Sequence, residues 1–288
     1  MLNPIHLRVL ESVARHGSVT GAAKELHYTQ PSVSHHLRRL EAATGAVLVQ
    51  RAGRGIRLTP DGELLAGRAA EILGRMDAAA VELADRVGLR AGRVRLAGFA
   101  TALSTLVPPA AARLAAAHPG VELHLADADP VEGLALLRSG RADIALVFRD
   151  EDTPPEAEGF RFVHLLDDRL YFLADRPGQR LEDHRDSAWI GGCERCRAAT
   201  VAACERAGFT PRIVYSSDDM VVTHSLVAAG MGVAIHNGLA LKAHREPGVH
   251  AVPIDYGPRR VYAAVYGEPP DPPATAAMLA ILAARPEG

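Results

Sequence analysis

Apolar residues recur three and four positions apart through the first sixty residues and then along one long helical run. From residue 93 onward they gather instead into short runs separated by amphipathic stretches. The first part predicts helix, turn, second helix and a basic hairpin. Gly17 ends one helix and Ser18 opens the next as its N-cap. Ala22 and Ala23 are small enough for a neighbouring helix to approach closely. Thr29 caps a further helix, with Pro31 in its first turn, where a missing N–H costs nothing. Val33, Leu37 and Leu40 form the apolar stripe of that helix, which turns Gln30, Ser34, His35, Arg38 and Arg39 toward solvent. A short helix with an apolar back and this front suits the major groove of double-stranded DNA.

Thr59 and Pro60 then open a helix expected to run to about Arg90. Leu65, Ala69, Ile72, Met76, Ala79 and Leu83 alternate spacings of four and three, the pattern of a two-stranded coiled-coil seam. A single amphipathic helix packed on its own body gives the same periodicity. Beyond it, strands (RVRLAGF, VELHLA, ADIALVF) alternate with helices (Ser104 to His118, PVEGLALLRSG), which predicts a mostly parallel sheet covered by helices. A second set follows, from FVHLLDDRLYFLAD through SAWIGG, a helix near Arg197 to Ala207, RIVYSS, a helix from Met220 and VAIH. The chain is expected to cross back near Val249 to Val265 and to close on the helix PPATAAMLAILAAR.

Charge sharpens this picture. Residues 1–60 carry eight Arg and Lys against three Asp and Glu, a net of +5, so the rest of the chain holds −7 of the total −2. A basic head on an acidic body points to a polyanion bound by the head alone, although Arg38, Arg39, Arg51, Arg54 and Arg57 also fit a merely solvated face. The first ten residues lack the basic start and apolar core of a signal peptide, and no apolar run reaches the ~20 residues a membrane span needs. Three cysteines are an odd number and no disulfide framework. A cytoplasmic protein without membrane contact or cofactor is expected.

The run from Ala22 to Gly62 resembles the winged helix-turn-helix of LysR-type transcriptional regulators. The matching residues are Ala22-Ala23, Gln30-Pro31-Ser32-Val33-Ser34, Leu40-Glu41, Gly45, Arg51, Arg54 and Leu58-Thr59-Pro60-Asp61-Gly62, in order over about 40 residues. Val49 departs from the Phe usual in that family, and Thr29 from Ser. The resemblance covers essentially the whole chain. It implies a DNA-binding head over 1–59, a dimerising linker helix over 60–90 and an effector-binding domain over 91–288. That domain is implied to be two α/β lobes like periplasmic binding proteins, lobe I from about 91–160 and 260–288, lobe II from about 161–259. Thr29, Gln30, Pro31, Ser32, Ser34, His35, Arg38, Arg39, Arg51 and Arg54 are then the DNA-contacting residues. Pairing through the linker helix gives a homodimer, and members of the family commonly form tetramers.

In open α/β sheets ligands collect beyond the carboxyl ends of strands, where helix N-termini point. Ala100, Thr101, Leu103 and Ser104 follow the first strand, Arg195, Cys196 and Arg197 follow SAWIGG, and Ser217 and Asp218 precede the Met220 helix. The family resemblance adds Phe148 and Arg149, and His236 stands just past its strand. Arginines beside free backbone N–H groups favour a small organic anion. The competing reading makes Thr101, Ser104, Ser217 and Asp218 plain helix caps and each Arg a solvated one. Cys193 and Cys196 form a CxxC pair, with Cys204 further on; a helix N-terminus flanked by arginines is expected to lower the Cys196 pKa. That leaves a thiol-based redox sensor as an alternative, which the peroxide-sensing LysR branch also suggests. A bound metal would need a fourth ligand from His184 or His164, and none is expected. An enzyme or an exported solute-binding protein is the other class, but no GxSxG, P-loop or GxGxxG is present and the head is basic.

Overall fold

The computed structural model describes residues 2–52, 55–86, 92–149 and 159–284, without the side chains of 51, 52, 55, 77, 78, 81–86 and 195. The head begins with α1 (Pro4–His16), α2 (Val19–Glu25) and α3 (Gln30–Thr44). Each starts on a side-chain cap: Asn3 accepts from Ile5 N at 2.8 Å, Ser18 from Gly21 N at 3.0 Å, and Thr29 from Ser32 N at 3.3 Å. Gly45 ends α3 in the left-handed conformation at φ 73°. Leu7, Leu10, Val13, Ala22, Ala23, Val33, Leu37 and Leu40 close one core between the three helices. Beneath the turn, Glu25 accepts from Ser12 and pairs with Arg15 at 2.6 Å and His16 at 3.0 Å, tying α2 to α1. Those bonds hold the Glu25 carboxyl below its ordinary range, although burial alone would raise it.

The hairpin of β1 (Val49–Ala52) and β2 (Gly55–Leu58) is the wing. Glu41 of α3 accepts from Leu48 N at 2.8 Å and Val49 N at 3.3 Å, so the wing hangs from the third helix. Val49 packs, half-buried, against the head core.

Thr59 caps α4 (Pro60–Arg86) through Gly62 N at 3.0 Å, and residues 87–91 lie outside the described residues. The seam read from the sequence splits here. Ala69 is fully buried in the head core and Leu65 leans on it, together with Ala66 and Leu73. Of the expected seam, Ile72, Met76 and Ala79 are exposed, with Leu64 beside them, while the side chain of Leu83 lies outside the described residues. Further along, α4 crosses the effector half where Gly74 meets Gly140; a Cβ on Gly74 would stand 2.5 Å from Ser139 O.

Lobe I follows as β3 (Arg93–Gly98), α5 (Ala100–Thr105), α6 (Val107–Ala117), β4 (Glu122–Asp127), α7 (Pro130–Arg138), β5 (Ile144–Arg149) and β6 (Phe160–Asp168). Lobe II holds β7 (Leu170–Ala174), a 3-10 turn at Leu181–His184, β8 (Ala188–Gly191), α8 (Glu194–Arg206), β9 (Arg212–Ser216), α9 (Met220–Ala228), β10 (Val233–Asn237), α10 (Gly238–Ala243) and β11 (His250–Pro253). The chain returns to lobe I with β12 (Arg259–Tyr266) and α11 (Pro273–Ala283). The sheets run β4-β3-β5-β12-β6 and β11-β7-β10-β8-β9.

Three expectations need correction. FVHLLDDRLYFLAD is two strands in two lobes: β6 pairs with β12 in the first sheet, so the crossover lies at Arg169 and not near residue 161. Both sheets are mixed, because β12 and β6 run antiparallel in one, and β7 and β11 antiparallel in the other. The helix expected from Ser104 to His118 breaks at Leu106 into α5 and α6, ahead of Pro108.

Candidate functional site

The front of α3 is presented as the sequence predicts: Gln30, Pro31, His35, Arg38 and Arg39 are exposed, and Ser32 and Ser34 half-exposed. Thr29 is spent on its cap, and Arg38 also donates to the carbonyl of Ser34 at 3.3 Å. Tyr28 stacks on His36 with ring centroids 5.5 Å apart, and His6 lies tilted against His36 at 5.2 Å. Burial, with His36, Arg39 and His35 nearby, pushes His6 below its ordinary pKa. Arg51 lies on β1 with its side chain outside the described residues, as is the whole of Arg54.

Between the lobes opens a cleft of about 640 Å³, a size suited to a small ligand. Its walls include Ala100, Thr101, Phe148, Cys196, Ser217, Asp218 and His236, seven of the residues expected there. Others lie elsewhere. Leu103 packs into the lobe I core, and Ser104 bonds back to the Ala100 carbonyl within α5 at 2.9 Å. Arg149 follows Phe148 on β5 and so faces the opposite side of the sheet, its guanidinium 5.2 Å from the Phe162 ring. Arg197 lies on exposed α8 away from the cleft wall, and the side chain of Arg195 is outside the described residues. Nor do the expected caps hold: α5 starts at Phe99 with no side-chain cap, and α9 is capped by Asp219, to which Val221 N donates at 2.8 Å.

Among the described residues the cation on the cleft wall is Arg259, which the sequence reading missed. It starts β12, is nearly buried, and donates to Asp168 at 2.9 and 3.0 Å and to Thr101 Oγ1 at 3.4 Å. Its guanidinium stands 4.3 Å from the Phe148 ring and 4.9 Å from Phe99. Asp168 ends β6 and also accepts from Leu239 N at 3.0 Å. One ion pair therefore joins the two places where the chain changes lobe, and α10 to both.

The cysteines depart from expectation. Cys193 caps α8, and its Sγ lies 3.0 Å from that of Cys196. Cys196 is exposed as a residue, but desolvation of its thiol against the cleft wall, then the Cys193 sulfur beside it, push its pKa up, against a smaller opposing pull from Arg259. The expected thiolate is thus reversed, and the oxidation-sensing alternative is not favoured. Cys204 sits at the far end of the same helix in the lobe II core, where burial pushes it up to about 12. No group of three or more His, Cys, Asp or Glu that could hold a metal ion occurs among the described residues.

His236, at the floor of the cleft, is pushed down to about 4 by burial, with His224 and Arg259 adding to the effect. Burial lowers His224 as well. Because these folded pKa values lie below that of an unfolded histidine (~6.5), stability is full above that pH and falls as pH drops toward 4. Urea unfolding followed by the single Trp189, buried in lobe II, should show a lower midpoint at pH 5 than at pH 7.5. His236→Gln should flatten the difference; a midpoint equal at both pH values would contradict the assignment.

Residues 5–63 match the family model of the bacterial regulatory helix-turn-helix protein, lysR family, and residues 88–287 match that of the LysR substrate binding domain. The chain belongs to the LysR family. It is 30% identical to the HTH-type transcriptional regulator CfxR of Cupriavidus necator, over 80% of this chain and 74% of that protein. The uncharacterized HTH-type transcriptional regulator YcgK of Bacillus subtilis is 25% identical over 90% of this chain and 88% of its own. The crystal structure of CbnR, a LysR family transcriptional regulator, superposes with a TM-score of 0.68 at 22% identity, covering 98% of both chains, a likeness of fold. This LysR-type protein is accordingly a DNA-binding transcriptional regulator with an effector-binding domain. Both relatives bear the name of HTH-type transcriptional regulators. Among the described residues no helix is long and apolar enough to cross a membrane.

Proposed function

We propose that the chain is a homo-oligomeric, cytoplasmic switch on promoter DNA whose cleft takes a small organic anion. The observation that carries the anion is Arg259, the one guanidinium on the cleft wall among the described residues, flanked by two phenyl rings and beside the neutral imidazole of His236. A carboxylate there gains a charge-assisted hydrogen bond away from bulk water. Leu64, Ile72 and Met76 along α4 support pairing through that helix, since a second copy would remove them from water. An effector that binds one lobe arrangement better shifts the population of paired heads on DNA. The test is DNA footprinting at the chain's own upstream region with a set of small carboxylates and their neutral amides. Carboxylates alone should change the footprint; amides acting equally would remove the anion.

On the DNA side, Arg38→Ala or Gln30→Ala should each cost roughly 1–3 kcal/mol at the specific site and relax discrimination against a scrambled duplex. Arg54→Ala should weaken both duplexes alike and flatten the salt dependence. If the preference for the specific duplex survives both α3 changes, that helix does not read bases.

A further inference from the structure

An organic anion held by Arg259 leaves two thiols on the cleft wall, Cys193 and Cys196, without a use. Their sulfurs meet because of where they stand on α8. Cys193 is its N-cap and Cys196 lies three residues on, the relation in which a capping side chain folds back over the first turn. Cys193 Sγ accepts from Cys196 N at 3.4 Å and lies 3.0 Å from the Cys196 sulfur. Both residues are exposed, so a ligand in the cleft can reach them. Cys204 is buried in the lobe II core, ~12 Å further along the helix axis, and brings no third thiol. Among the described residues no group of three His, Cys, Asp or Glu suits a metal ion, so the pair offers two sulfurs alone.

We infer that Cys193 and Cys196 form a covalent binding site, inside the cleft, for a trivalent arsenical that carries one organic substituent. Such a molecule has two exchangeable hydroxyls, one for each thiol. Each thiol proton joins one hydroxyl and leaves as water. Two As–O and two S–H bonds break, while two As–S bonds and two O–H bonds of water form. Arsenic stays trivalent, nothing is oxidised, and the organic substituent keeps its bond to arsenic. Both sides of this condensation are neutral. That suits the desolvated Cys196 thiol, pushed up to about 12, which resists the ionisation that a cation such as zinc demands of its ligands. Geometry makes the same choice. With bonds near the ~2.3 Å of a metal–thiolate contact, a pyramidal centre with near-right angles spans ~3.3 Å between sulfurs and a linear ion ~4.6 Å. The observed 3.0 Å lies at the pyramidal end. The substituent has room in the cleft of about 640 Å³, where Phe148, Met220 and Ile235 supply apolar surface. The site does not rest on the anionic-effector reading.

The test uses the full chain, reduced and freed of small thiols, with phenylarsine oxide as the probe. After desalting, intact mass spectra should show one phenylarsenic per chain in exchange for two hydrogens. Cys193→Ser and Cys196→Ser should each abolish the adduct. Both variants should fold, since Ser accepts well at an N-cap and Cys196 is exposed. Competition with dithiothreitol should give an affinity at least tenfold above that of arsenite, whose third oxygen finds no third thiol. That affinity should change less than about twofold between pH 6 and pH 8, because neutral thiols release no proton to solution. No retained adduct, an adduct surviving in either variant, or arsenite bound as tightly overturns the site. A tenfold change across the pH range overturns it too, because a thiolate would then be the resting state. None of these outcomes depends on whether the cleft also accepts a carboxylate.

Discussion

Replacing Arg259 with alanine should lower the stability of the effector half by roughly 3–5 kcal/mol, the cost of leaving a buried charge without its partner. The side chains concerned are 9% and 3% exposed, and the pair sits where β6 leaves lobe I and β12 returns to it. Without the guanidinium, Asp168 keeps only Leu239 N as a donor among the described residues. Removing both charges is a different experiment. Arg259→Met with Asp168→Asn should recover most of the stability, because the expensive state is the unpaired ion and not the absence of the pair. Response to small carboxylates should stay lost, since the double variant lacks the guanidinium that would hold them. Urea midpoints read from Trp189 decide the first part, and footprinting with effector the second. A loss below about 1 kcal/mol for Arg259→Ala would mean that water reaches the pair and that it is no lock.

The difference between what the sequence disclosed and what it hid follows physical lines. α3 was legible because three local signals agree on it: a capping Thr29, Pro31 at the start and an apolar stripe at helical spacing. Arg259 was hidden because nothing local marks it, and the arginine beside it is ordinary surface. A signal existed: in RRVYAAVY, Arg259 shares its face with Val261, Ala263 and Val265, all buried, and a charge on an apolar face requires a partner. The same twofold period explains Arg149. Its neighbour Phe148 was rightly placed in the cleft, and adjacent residues of a strand cannot share a face. Periodicity on α4 identified apolar positions but not what covers them, so Ala69, packed on its own head, looked like a dimer seam. At the lobe boundary only Arg169 separates the two strands, and no Gly or Pro betrays the crossover. Cys196 failed for an opposite reason: the local arginines were visible in the sequence, but desolvation of the thiol and the Cys193 sulfur beside it decide its pKa.

Gly62→Ala is expected to unfold the head while sparing the effector half. An added Cβ would lie 2.1 Å from the carbonyl oxygen of Leu48, 3.0 Å from its carbon and 3.3 Å from Leu58 Cβ. The obstacle is backbone, so no rotamer change relieves it. That carbonyl is also held: Thr59 N donates to it at 3.0 Å, while Thr59 Oγ1 donates to Val47 O at 2.6 Å and accepts from Gly62 N at 3.0 Å. Moving the strand away breaks the very bonds that set the wing on α4, so the penalty should exceed the ~1–3 kcal/mol usual for overpacking a core. DNA binding should vanish with it, because wing and α3 are joined through Glu41 and lose their common frame. Gly67 supplies the control. It lies one turn further along the same helix with open space around it, so Gly67→Ala should stabilise by about 0.5–1 kcal/mol through helix propensity alone. Two identical changes five residues apart then have opposite signs, and Trp189 unfolding should be the same in both. If Gly62→Ala instead binds DNA like the parent, the close approach of α4 to the wing is not what positions the head.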